Sequence, residues 1–149
     1  MTKKKSQRSS RGMRLLPYSP ADHSAIRRCM KFAIRKVPEF KHIIHVYCRE
    51  CDRAHQRDSR LYAHSFCPRL ARPGNVVCWA EAAFVELPPE HIAGICLHEL
   101  GHQMVGPMEE SAEYDAEREA DLAVLERLGV AIKYKKPKLI QWASLKELG

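Results

Sequence analysis

No stretch of this chain approaches the ~20 consecutive apolar residues of a membrane span, so no membrane association is expected. No period repeats along it, which sets aside solenoids and propellers. The first 14 residues contain six Lys/Arg and no acid, and no apolar segment follows them, so a secretory signal is not expected either. The expectation is an intracellular, cytoplasmic protein in a reducing compartment. There its six cysteines read as thiols or metal ligands rather than disulfides. What is present suits one globular domain: 149 residues, 45% hydrophobic and 29% charged, are too apolar for a disordered chain.

Charge is polarised along the sequence. Residues 1–72 hold 18 Lys/Arg against 5 Asp/Glu, residues 73–132 hold 2 against 12, and residues 133–149 hold 5 against 1. A basic first half of this kind suits nucleic acid or an acidic partner, or simply a solvated basic tail and helix face. The acidic middle, by contrast, surrounds the chemistry described next.

Residues 1–18 read as a flexible basic arm and 19–149 as the domain. Ser19, Pro20 and Asp22 open a helix whose apolar stripe runs through Ile26, Cys29, Met30, Ala33, Ile34 and Val37 to a stop at Pro38. His42–Cys48 reads as a strand, residues 49–75 as a long and partly irregular excursion, and Val76–Val85 as a second strand. Pro89 to Val105 carries the punctuation of a helix, and another starts at Ser111 and ends at Gly129. A short strand is expected over Val130–Tyr134 and a short amphipathic helix over Leu139–Leu148.

His98-Glu99-Leu100-Gly101-His102 is an HExxH motif inside the second of these helices, Pro89 to Val105. Residues four apart on a helix lie ~40° apart around the axis and ~6 Å along it, so both imidazoles can reach one Zn²⁺. Glu99, one position round from His98, stands where a general base for a metal-activated water belongs. A third ligand is expected from the next helix, where Glu113, Glu117 and Asp121 share one face at intervals of four. Like charges at that spacing repel, and a cation between them would offset the repulsion.

HELGH followed by Glu117-Arg118-Glu119-Ala120-Asp121 resembles the gluzincin zinc metallopeptidases, including small intracellular proteases of that type, over roughly residues 76–128. The resemblance implies a single α+β, zincin-like domain in which an edge strand lies over the HExxH helix and a second helix bears a ligand. It implies Glu117 as third zinc ligand and Asp121 as the partner that holds His98; the linker from His102 to Glu117 is short for the larger members, which leaves Glu113 and Glu119 as rival ligands. It also implies a peptide or protein substrate, paired along an edge strand for which Val76–Val85 is the candidate. A transition-state donor is expected among Tyr114, Tyr134 and His91. No third histidine follows His102 at the metzincin spacing, which excludes that class.

Cys48-Arg49-Glu50-Cys51 is a C-x₂-C knuckle, with Cys67 and Cys78 downstream and His45, His55 and His64 nearby. Four thiolates, or three and a histidine, would hold a second, structural Zn²⁺ and staple the 49–75 excursion; ordinary thiols are the alternative. Cys29 and Cys96 sit on apolar helix faces and read as core.

Overall fold

The computed structural model describes residues 16–66, 75–106, 113–136 and 138–149, and of Phe66, Glu113 and Tyr114 only the backbone. Most of the expected basic arm therefore lies outside the described residues. At its near end, Leu16 packs against the core, and Pro17 O accepts a 2.7 Å hydrogen bond from Tyr47.

Ser19 caps a single turn, Pro20–Asp22, rather than the long helix itself. The chain straightens at His23, whose Nδ1 then accepts from Ala25 N at the start of α1, Ser24–Lys36. This helix buries Ala25, Ile26, Cys29 and Ala33 and turns its basic residues to solvent, as its apolar spacing dictates. Pro38 follows the last turn and opens a short 3-10 segment to His42.

The sheet contains β1 (Ile44–Tyr47), β2 (Ala63–Phe66) and β3 (Val76–Trp79) in the order β1-β3-β2, with β1 parallel and β2 antiparallel to β3. Between β1 and β2 the chain forms α2, Arg49–Arg57. The expected irregular excursion is thus a helix and a strand, at least over residues 49–66. Hydrophobic periodicity did not signal α2, because Cys51 is its only buried residue.

The expected strand Val76–Val85 is half right. It ends at Trp79, and Ala82–Glu86 forms a short helix, α3. Alanines and glutamates favour helix once the ladder stops, and Asp52 accepts from Glu81 N at the turn between the two. Nor is β3 an edge. It is the central strand, bonded on both sides, so it has no free main-chain groups for a substrate.

Pro89 opens α4, Pro89–Val105, and Gly106 (φ 82°) closes it. Residues 91–101 are all buried, so α4 is the central helix, surrounded by α1, α5, β2 and the C-terminal strands. α5 runs Glu113–Ala123, continues as a π-helical turn through Leu128, and ends at Gly129 in the left-handed region.

The expected C-terminal helix is instead a hairpin followed by a 3-10 turn: β4 (Lys133–Lys135) pairs with β5 (Ile140–Trp142), and Leu145–Leu148 forms the turn. The short strand expected over Val130–Tyr134 is this β4, shifted towards the C-terminus. Apposition to α4 outweighs helical periodicity here. Ala143 N donates to Glu90 O at 3.0 Å, and a side chain at Gly94 would strike the Trp142 backbone. The architecture is mixed α+β, with the small sheet on one side of α4 and α5 on another.

Candidate metal centre

The apolar faces that bury α4 also fix its polar residues. His98 and Glu99 are 2% and 5% exposed, too buried for ordinary surface groups. His98 and His102 lie one turn apart with rings nearly perpendicular (88°) and Nε2 atoms 3.2 Å apart. Glu117, from α5, completes the group: its Oε1 lies 3.3 Å from His98 Nε2 and its Oε2 2.8 Å from His102 Nε2. One donor atom from each residue falls within 4.8 Å of the others, so the three can hold a metal ion.

Behind the donors stands a second layer. Asp121 Oδ1 lies 2.7 Å from His98 Nδ1, and Tyr134 donates its hydroxyl hydrogen to Asp121 Oδ2 at 2.6 Å. A carboxylate on the far nitrogen directs Nε2 towards the shared centre and raises ligand basicity. Tyr134, one of the expected transition-state donors, is engaged with Asp121. His91 is engaged elsewhere, its ring nitrogens 2.8 Å from Gln141 O and 3.1 Å from Lys136 O. The side chains of Tyr114 and Glu113 lie outside the described residues, and Glu119 is exposed and outside the donor group.

Electrostatics in the metal-free site follow from this layout. Burial presses the His98 pKa down, but hydrogen bonds to Asp121 and Glu117 and the charge of Glu99 outweigh it and raise it to about 10. Glu117 is held well below the usual carboxylate range by its hydrogen bonds to His102 and His98. Burial, together with Asp121, pushes the Tyr134 phenol far up, so it remains a donor. Glu99 Oε1 is buried without a hydrogen-bond partner among the described residues. A buried unsatisfied carboxylate oxygen is costly, and a ligand or water beside it would remove that cost. Two imidazoles and a carboxylate are a donor set that could hold a metal ion.

Gly101, the fourth residue of the motif, explains how α5 reaches α4. A Cβ there would overlap Ala120 O and come 2.7 Å from Ala120 C, so only glycine permits this backbone approach. Ala120 lies between Glu117 and Asp121, and the close approach is what brings both carboxylates to the histidines.

On the other side, Ser65 Oγ in β2 donates to Glu99 O at 3.0 Å. The strand over the HExxH helix is therefore β2, which is paired on one side only among the described residues, where the sequence pointed to Val76–Val85. Ser65 had no sequence signal, since it lies 34 residues from its partner.

The cysteines separate into two groups. Cys29 and Cys96 are fully buried in the core of α1 and α4. Cys48, Cys51 and Cys78 are free thiols gathered on the outer face of the sheet, with His64 beside Cys51, while Cys67 lies outside the described residues. Compared with known protein families, curated proteins and solved structures, the chain shows no significant match to any of them. Among the described residues no helix is long and apolar enough to cross a membrane.

Proposed function

We propose that the protein is a zinc-dependent peptide hydrolase with a zincin-like arrangement around α4. One observation carries the reading: His98, His102 and Glu117 present donor atoms within 4.8 Å of one another, and the adjacent residue Glu99 is buried, with an Oε1 that has no partner among the described residues. His98 and His102 through Nε2, and Glu117 through its carboxylate, would hold Zn²⁺. When bound, the ion supplies Lewis-acid polarisation of a carbonyl and acidifies water at the centre.

The remaining work belongs to the chain. Glu99 accepts a proton at Oε1 from the attacking water and delivers it to the leaving amine, the general-base and general-acid roles of one carboxylate. Asp121 fixes the His98 tautomer, and Tyr134 fixes Asp121. The outer edge of β2 offers main-chain hydrogen bonds to an extended peptide, and the Ser65 bond to Glu99 O keeps that strand against the catalytic helix. Acidic residues of the 73–132 segment favour basic or neutral peptide segments, an effect that salt weakens.

The test is Glu99→Gln. Peptide hydrolysis should fall by ~10²–10⁴-fold, the usual contribution of a general base, while zinc content stays the same. Hydrolysis that survives this change, or zinc lost with it, contradicts the reading.

A second reading has its own observation. α1 contains no acid, and its Arg27, Arg28, Lys31, Arg35 and Lys36 are all exposed, a surface suited to nucleic acid or an acidic protein with the metal as a structural element. On that reading Glu99→Gln leaves binding unchanged and charge reversal along α1 abolishes it.

A further inference from the structure

The outer face of the sheet carries a separate cluster. Strand pairing sets His64 directly opposite Cys78, and Val46 opposite Cys78 on the other side. Paired residues share a face and alternate residues along a strand return to it, so His64, Cys78 and Val46 face outwards, and Cys48 follows just past β1. The inward set is different: Val77 and Trp79 are fully buried, and Ser65 reaches α4. α2 covers the outer face. Cys51, one turn into it, is buried with its sulfur 2.9 Å from His64 Nδ1 and 3.5 Å from Cys78 O. Cys48, the residue that precedes α2, donates its N–H to Trp79 O at 3.0 Å, next along β3 from Cys78.

A physical deficit makes the cluster informative. α2 (RECDRAHQR) has nine residues and only Cys51 buried, so it lacks an apolar face to hold it on the sheet. Isolated helices shorter than ~12–15 residues are marginal in water, and packing normally supplies the difference. The other anchors of α2 among the described residues are polar: the Asp52 bond to Glu81 N, the His55 ring nitrogens 3.1 Å from Leu61 O and 3.3 Å from Glu86 Oε2, and the His55 ring tilted at 4.5 Å to Tyr62. The residue that enters the interior is a thiol, and it meets an imidazole and the backbone of another cysteine.

We propose that Cys48, Cys51, Cys78 and His64 form a structural zinc site that clips α2 to the outer face of the sheet. Three sulfurs and one nitrogen match the Cys₃His set of closed, tetrahedral sites, and Cys48–Cys51 supplies the C-x₂-C knuckle. No three of these four donor atoms lie within 4.8 Å of one another, so the side-chain rotamers must turn to close on an ion.

This site stands independently of the hydrolase reading, and its test is arranged so. In a His98→Ala/His102→Ala variant, zinc should remain at close to one per chain. Its cobalt form should show the intense near-ultraviolet charge-transfer band of thiolate coordination. Adding Cys51→Ser should remove both, while His64→Cys should retain them. Because Cys51→Ser can unfold α2, the otherwise unaltered protein provides a second measurement: titration with a mercurial should release a zinc in step with modification of three thiols. A metal-free His98→Ala/His102→Ala variant, a cobalt form without the thiolate band, or thiols that react without releasing zinc would each overturn the proposal. So would a fourth sulfur in the coordination shell that persists in His64→Ala and disappears in Cys67→Ser.

Discussion

The inner face of the sheet looks towards imidazole and carboxylate donors on α4 and α5, while the outer face carries thiols and one imidazole beneath α2. On the inner side Glu117 is 60% exposed and His102 22%, so that centre opens towards solvent, and a buried carboxylate stands beside it. On the outer side the donors surround a buried Cys51 and no carboxylate is hydrogen-bonded to them among the described residues. Three nitrogen and oxygen donors with a neighbouring base suit catalysis, and four donors rich in sulfur suit a staple. The two clusters lie on opposite sides of three short strands, so perturbing one should leave the other intact.

The sharpest way to break this division is at Glu117. Glu117→Ala should eliminate tight zinc at the inner centre, because two histidines alone remain, and should leave the outer zinc in place. Metal analysis of the purified variant checks it. Release of both metals would mean that the sites are one folding unit, and an unchanged inner metal would return Glu113 as the ligand.

Protons come next. In the metal-free protein His98 has a pKa raised to about 10 against an ordinary 6.5. Its protonated form therefore stabilises the metal-free fold fully below pH 6.5, and that contribution is lost as pH rises towards 10. A metal needs the neutral ring, so binding near pH 7 should release that proton, and affinity should rise by ~10-fold per pH unit across this window. Calorimetry in buffers of different ionisation enthalpy measures the release. Binding to the inner centre with no proton released would contradict it.

Smaller effects separate the supporting layer from the donors. Asp121→Ala should weaken the inner metal by ~10–100-fold without touching the outer one. Tyr134→Phe removes one hydrogen bond to Asp121 and should cost about 1 kcal/mol in stability or the equivalent in metal affinity. A Tyr134→Phe effect larger than that of Asp121→Ala would assign the tyrosine a direct role at the centre.

His45 offers a control that involves neither metal. It is buried with Nδ1 accepting from Trp79 Nε1, and burial lowers its pKa to about 4. The unfolded chain then binds a proton that the fold refuses, so stability should be full above pH 6.5 and fall by about 3 kcal/mol as pH drops towards 4. Denaturant unfolding at several pH values measures this slope, and His45→Gln should flatten it.

How much of this the sequence disclosed depends on the distance over which each signal acts. The α4 helix, its proline start and its histidine spacing are local, and they appear where the residues place them. The Glu117–Asp121 interval is likewise local to one helix, although its approach to His98 depends on Gly101 meeting Ala120. Other features rest on contacts that periodicity does not report. Ala82 starts α3 once the ladder ends at Trp79, and no alternation of apolar and polar residues marks that point. α2 carries no apolar stripe, so its pattern resembled a loop. Ile140–Trp142 pairs with β4 and lies against Gly94, a contact that overrides the helical period of Leu139–Leu148. The cysteines were visible as a knuckle, but the place of His64 came only with the pairing of β2 and β3.

The most direct measurement is a crystal structure of the zinc-loaded protein, grown under reducing conditions. One zinc is expected on His98 Nε2, His102 Nε2 and a Glu117 oxygen, with an open fourth position facing Glu99, and a second zinc enclosed by Cys48, Cys51, Cys78 and His64. A single zinc with four protein ligands at the inner centre, or an inner centre without metal while Glu99 faces elsewhere, would contradict it.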